Sequence, residues 1–181
     1  MSLNKIMTIW AYGDRIPQIN PSTWVFPTAD IIGKVTLGPN VYVGAGAVIR
    51  GDYGEIIIEE GTAIEENVTI HARWDEVCRI GKNVTVGHAA MIHNCIIHDN
   101  AVIGMKSVVS DYAEVGEWAI IAEGAVVTGK SKISANKVAA GIPAKEIGDV
   151  QEKHKKFWSL AKAVYQQLAR DYPKKLRKIE N

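Results

Sequence analysis

The chain has 181 residues, 47% of them hydrophobic, and a formal net charge of +1. That is enough apolar material to bury a sizeable core, at a length that fits one main domain. The charge balance leaves no footprint for nucleic acid or an anionic membrane, and no apolar run approaches the roughly 20 residues that span a bilayer.

The N-terminal residues lack a signal peptide's apolar core, so a cytoplasmic location is expected. Cys78 and Cys95 lack the spacing of a zinc ribbon or a redox CxxC motif and read as free thiols.

From Val25 onward the chain is periodic. Aliphatic residues recur at every sixth position at Val25, Ile31, Leu37, Val43 and Ile49, then at Ile58, Ile64 and Ile70, and again at Ile80, Val86 and Ile92. A five-residue step leads to Ile97, and the series continues through Ile103, Val109, Val115, Ile121, Val127 and Ile133. Four positions after many of these anchors stands a small or β-branched residue, such as Ala47, Val84, Ala90, Ser107 or Ala119. Gly follows the anchor directly at Gly38, Gly44, Gly87, Gly104 and Gly116.

Neither a helical nor a plain alternating period explains this pattern. A hexad does: each reads as one short strand and one turn, and three hexads close a triangular coil whose anchors and small residues point inward. The glycines are expected to serve the turn conformations. The expected fold is an all-β solenoid, a parallel β-helix of about six coils over residues 1–145.

Residues 146–181 differ in kind. Gly141-Ile142-Pro143 punctuates the end of the coil. Phe157, Leu160, Ala161, Val164, Leu168 and Ala169 then fall at helical spacing, with Lys153, Lys155, Lys156, Gln166, Gln167 and Arg170 on the other side. This predicts an amphipathic helix that lays its apolar stripe on the solenoid and stops at Pro173, followed by a solvated basic tail.

Three histidines stand out once placed on the coils. His71 follows anchor Ile70 and His93 follows anchor Ile92, one full coil later. They share one corner, separated by roughly the 4.8 Å spacing of adjacent strands. Arg50 lies one coil below His71 in the same column. His88 lies two residues after Val86, on another side of the triangle, between Glu66 and Met105. One chain therefore offers two ligands at one edge and a third elsewhere. A second copy related by a threefold axis could bring its His88 to face the His71/His93 pair, so a homotrimer with metal sites at its interfaces is expected. Three neutral imidazoles at roughly 2.0–2.1 Å suit Zn2+ and leave a fourth position for water, with Fe2+ or Co2+ as alternatives. His98 and His154 read as ordinary surface histidines.

Several segments carry a family resemblance: Arg50-Gly51-Asp52, Glu65-Glu66-Asn67 leading to His71, Gly87-His88 with His93 five further on, Gly104-Met105, and Gly141-Ile142-Pro143-Ala144-Lys145. Through about Lys145 the chain resembles the gamma-class carbonic anhydrases, in the compact bacterial branch associated with carnitine and phenylacetate metabolism. The resemblance implies a left-handed β-helix trimer in which His71 and His93 come from one subunit and His88 from its neighbour, with Arg50 and Asp52 pairing across the interface.

Two departures from that family pattern bear on mechanism. Glu65 stands where the family usually has Gln, the side chain expected to orient metal-bound water, and a carboxylate can accept from that water but not donate unless protonated. Tyr53 follows Asp52 where an acidic proton-relay residue is common. The segment from Ala72 to Arg79 is short, with only Asp75 and Glu76 available for that task.

The expected reaction is reversible hydration of CO2 to bicarbonate. Zinc lowers the pKa of bound water from 15.7 to about 7, Glu65 handles that water, Arg50 lies near the bicarbonate, and Asp52 fixes Arg50. The alternatives are acyl transfer or thioester hydrolysis on coenzyme A substrates, and a noncatalytic trimer stabilised by its metal.

Overall fold

The structure is a computed structural model and describes residues 8–179, so the signal-peptide reading lies partly outside the described residues. In chain order the strands are β1 (Thr8–Trp10), β2 (Gln18–Ile19), β3 (Trp24–Val25), β4 (Asp30–Leu37), β5 (Tyr42–Val43), β6 (Val48–Ile58) and β7 (Ala63–Ile64). Then come β8 (Thr69–His71), β9 (Val77–Ile80), β10 (Thr85–Val86), β11 (Met91–His93), β12 (Ile96–Ile97) and β13 (Val102–Ile103). The last are β14 (Val108–Val109), β15 (Glu114–Val115), β16 (Ile120–Ile121), β17 (Val126–Val127), β18 (Lys132–Ile133), β19 (Lys137–Ala140) and β20 (Lys145–Asp149), followed by helix α1 (Glu152–Lys175).

Each strand pairs in parallel with the strand one coil away, and the antiparallel β19–β20 pair is the exception among these strands. One side of the triangle is a ladder running β3-β5-β7-β10-β13-β16-β19. The other two sides merge into one 12-stranded sheet because β4 and β6 run through a corner without a break. The result is a solenoid of about seven turns, one more than the anchor count predicts. The sequence pattern hides the ends: Ile19 pairs with Leu37 below the first counted anchor column, and Ala139 pairs with Ile121 where an aliphatic anchor would stand.

Every predicted anchor from Val25 to Ile133 is buried, and so are Ala47, Val84, Ala90, Ser107 and Ala119 behind them. Stacked aliphatics alternate with small residues because the triangular interior has room for one large side chain per face and little beside it. Cys78 and Cys95 are buried, free thiols.

The glycines that follow the anchors serve a different purpose from the one expected. None of Gly38, Gly44, Gly87, Gly104 and Gly116 has a positive φ. A Cβ at Gly104 would stand 2.6 Å from the backbone nitrogen of Glu123, so the next coil's backbone occupies the space. Asparagine takes half of the non-glycine left-handed positions among the described residues, with Asn40, Asn67, Asn83, Asn94, Asn100 and Asn136 at φ between 47° and 61°, a conformation their short polar side chains tolerate.

Helix α1 lies on the solenoid by only part of the predicted stripe: Leu168 and Ala169 face inward as expected. Phe157, Leu160 and Val164 are 64%, 72% and 57% exposed. Beside those two the inward face holds Lys162, Tyr165, Gln166 and Tyr172. The reason is the surface it meets: Trp24 and Tyr42 project from β3 and β5, and they take Tyr172 and Tyr165 at ring distances of 5.6 and 5.1 Å. Gln166, expected to face outward, donates to the Gly61 carbonyl at 3.2 Å and Asn83 Oδ1 at 3.0 Å. Pro173 does not stop the helix, which continues to Lys175. In the last turn a proline removes one hydrogen bond and no following turn depends on it. No helix among the described residues is long and apolar enough to cross a membrane.

Candidate metal centre

The ladder register builds the site column by column. Arg50 pairs with His71 and His71 with His93 on adjacent strands β6, β8 and β11, so three polar side chains leave one corner in line. Asp52, two residues along β6 from Arg50, returns to the same column.

His71 Nδ1 and His93 Nε2 stand 3.0 Å apart. The opposite nitrogen of each ring meets a carboxylate: His71 Nε2 lies 3.3 Å from Asp52 Oδ1, and His93 Nδ1 lies 2.5 Å from Asp111 Oδ1. A carboxylate accepts only, so each of those outer nitrogens carries the ring proton and the two facing nitrogens are left with lone pairs. Two facing lone pairs at this distance call for a cation or a shared proton between them. Two imidazole nitrogens on a tetrahedral zinc ion stand about 3.3 Å apart, close to the spacing found. Donor set and carboxylate backing therefore fit a divalent metal of the zinc kind.

The surrounding charges agree with a neutral His71 ring. Burial and then the Arg50 guanidinium hold His71 below its ordinary pKa. At Asp52 burial pushes upward, but hydrogen bonding and charge from Arg50 outweigh it and the carboxyl stays ionised below its usual range. Arg73, bonded to Asp111 at 2.8 Å, and then the bond to His93 lower the Asp111 carboxyl to about 2. Arg50 Nη1 donates to Asp52 Oδ2 at 2.6 Å within one chain. Positions two apart on one strand face the same way, so the guanidinium reaches its own neighbour. The Tyr53 ring packs edge-on against His71 at 4.8 Å and stacks on Trp74 at 5.9 Å, so aromatic surface flanks His71 where a relay acid was looked for. Asp75 pairs with Arg15 at 3.7 Å.

His88 stands elsewhere, beyond the end of β10 on the other sheet. Its Nε2 is 3.0 Å from Glu65 Oε2 and its Nδ1 is 2.7 Å from Glu66 Oε2. Glu65 also accepts from the His88 backbone N–H at 3.1 Å. Glu65 is 6% exposed, and burial raises its pKa. Tyr165 of α1 bonds its carboxylate, and Lys162 of α1 interacts with its charge. Among the described residues of one chain, no group of three His, Cys, Asp or Glu side chains is placed to hold a metal. One chain brings together His71, His93, Arg50 and Asp52, and keeps His88 with Glu65.

Sequence reasoning missed Asp111, Arg73, Lys162 and Tyr165. Asp111 was the most findable: it lies two residues after anchor Val109, at the corner one coil above His93.

A parallel solenoid of six-residue rungs with polar corner columns defines the hexapeptide-repeat class. The bacterial transferase hexapeptide (six repeats) family model matches residues 77–111 and 94–129. The carnitine operon protein CaiE of a Proteus strain is 33% identical over 162 residues, covering 90% of this chain and 82% of the relative. CaiE of Escherichia coli is 37% identical over 99 residues, which is 55% of this chain but only 50% of that relative's length. A crystal structure of a Bacillus cereus protein, provisionally titled an acetyltransferase, superposes with a TM-score of 0.89 at 31% identity, covering 91% of this chain and 96% of that one. The chain belongs to the hexapeptide-repeat proteins of the carnitine-operon type, the gamma-carbonic-anhydrase-like branch.

Proposed function

We propose that this protein hydrates CO2 reversibly to bicarbonate with a zinc ion held between subunits of a homotrimer. The single observation that carries the reading is the pair of imidazole nitrogens 3.0 Å apart, each ring backed by its own carboxylate. His71 and His93 would hold the metal from one chain and His88 from the next, since His88 lies on a different sheet from the pair. Hexapeptide-repeat β-helix proteins are commonly trimers. When bound, zinc supplies a water acidic enough to react near neutral pH. Fe2+ or Co2+ would suit the same donors.

The chain's own residues supply the rest. Glu65 lies 3.0 Å from His88 Nε2, within reach of anything that nitrogen binds, and its buried carboxylate would orient or accept from the water. Arg50, fixed by Asp52, places positive charge beside the pair, where an anionic product would rest.

A second reading has its own support. The matched family model describes transferases, and the Bacillus cereus relative carries an acetyltransferase title. In that reading the chain acts on acyl-coenzyme A, by transfer or thioester hydrolysis. Metal analysis, a CO2-hydration assay and an acyl-CoA assay on one purified sample separate the two. Hydration that tracks zinc content and disappears in His93→Ala is expected. Turnover of an acyl-CoA with no hydration at full zinc loading would overturn the carbonic anhydrase reading.

A further inference from the structure

The two histidines of the corner column end chains of identical composition. In the first, Arg50 Nη1 donates to Asp52 Oδ2 at 2.6 Å and Asp52 Oδ1 stands 3.3 Å from His71 Nε2. In the second, Arg73 Nη2 donates to Asp111 Oδ2 at 2.8 Å and Asp111 Oδ1 stands 2.5 Å from His93 Nδ1. Each carboxylate gives one oxygen to an arginine and the other to an imidazole. They grip opposite nitrogens, Nε2 on His71 and Nδ1 on His93, and the ungripped nitrogens are the two that meet at 3.0 Å.

We infer that Asp111, held by Arg73, is a positioning residue for His93, matching Asp52 at His71. It accepts the Nδ1–H, so that His93 keeps the tautomer with its Nε2 lone pair turned to the metal. This rests on the reading of His71 and His93 as metal ligands.

The second arm has little other employment. Arg73 is 54% and Asp111 27% exposed at the side chain, and an ion pair so open to water adds little to stability. Yet the parts come from three successive coils, and the loop that carries Arg73 is pinned where the Arg73 backbone N–H donates to the buried Asn94 Oδ1 at 3.1 Å. Such an arrangement fixes the direction of a ring better than it holds a fold. An outer carboxylate on a ligating histidine is worth about 10–100-fold in metal affinity.

The test is zinc titration of the metal-free protein against a chelator of known affinity, for wild type, Asp111→Ala, the isosteric Asp111→Asn, His93→Ala, and His93→Ala combined with Asp111→Ala. Asp111→Ala and Asp111→Asn should each weaken zinc binding by about 10–100-fold while leaving the oligomer mass and the melting temperature of the metal-free protein near wild type. Because Asp111 acts through His93, the double variant should bind no more weakly than His93→Ala alone, whereas losses from a general structural effect would add. If His93→Ala loses zinc but both Asp111 variants keep wild-type affinity, or if the losses add, the inference is overturned and the ligand reading stands. If wild type takes up no zinc, or His93→Ala binds as tightly as wild type, the ligand reading fails and takes the inference with it.

Discussion

Glu65 joins two parts of the molecule that the sequence shows as separate. It touches the backbone and the ring of His88, and through Tyr165 it touches the C-terminal helix. Glu65→Gln keeps the size and the ability to accept from the His88 N–H. It should therefore retain zinc and trimer mass while changing CO2-hydration rate, by up to the 10²–10⁴-fold range, on the order of what a positioned acid or base contributes. Glu65→Ala also removes the group that braces His88 and should weaken zinc as well. Equal hydration rates for wild type and both variants would reduce Glu65 to a packing residue. Gly104 makes a purely steric prediction. With the Glu123 nitrogen 2.6 Å from the missing Cβ, Gly104→Ala should destabilise by about 1–3 kcal/mol, as overpacking does, and a denaturant melt would show it.

The solenoid strands were legible in the sequence because a hexad converts position into place by counting. The columns Arg50-His71-His93 and Glu66-His88-Met105 followed from that alone. The helix was legible as a helix, but its end and most of its facing were not. Counting apolar residues rewards Phe157, Leu160 and Val164, whereas the flank of the solenoid offers the rings of Trp24 and Tyr42 and rows of backbone carbonyls, which suit Tyr165, Tyr172 and Gln166. No hydropathy count foresees Lys162, 5% exposed with its Nζ 5.9 Å from the rings of both Trp118 and Trp158 and 3.3 Å from Thr85 Oγ1.

Burial lowers the Lys162 pKa to about 7 against the opposing pull of Glu65, with Lys155 on the Trp118 ring as another charge nearby. Between about pH 7 and the ordinary lysine range near 10.4 the unfolded chain keeps a proton that the folded chain has lost, so this residue makes stability rise with pH across that window. Lys162→Met should remove that rise, on the order of a few kcal/mol at about 1.4 kcal/mol per pKa unit. Parallel wild-type and variant melts from pH 6 to 10 would measure the difference; parallel curves would show that Lys162 is better solvated than its burial implies.

One chain by itself keeps the parts of the candidate site apart. His88 and the His71/His93 pair lie on different sheets of one chain, so the proposed metal site has to be shared. Mixing unfolded His88→Ala chains with unfolded His71→Ala chains and refolding them together should restore zinc binding at some interfaces, because one chain then supplies an intact pair and its neighbour an intact His88. Each variant refolded alone should restore none. Equal zinc uptake in the mixture and in the separate variants would count against ligands donated between chains.

A repeat that stacks on itself carries no internal instruction to end. Its last coil offers the same open ladder as the one before, and a flat unpaired edge invites another chain to continue it. Here β20 turns back on β19, antiparallel where the neighbouring strands are parallel, out of step at Val138/Ala139, and with Lys145, Glu146 and Asp149 exposed along it. A further coil arriving at that end meets a strand of the wrong polarity, studded with charge. The reversal thus closes the β19 edge of the solenoid to further parallel pairing.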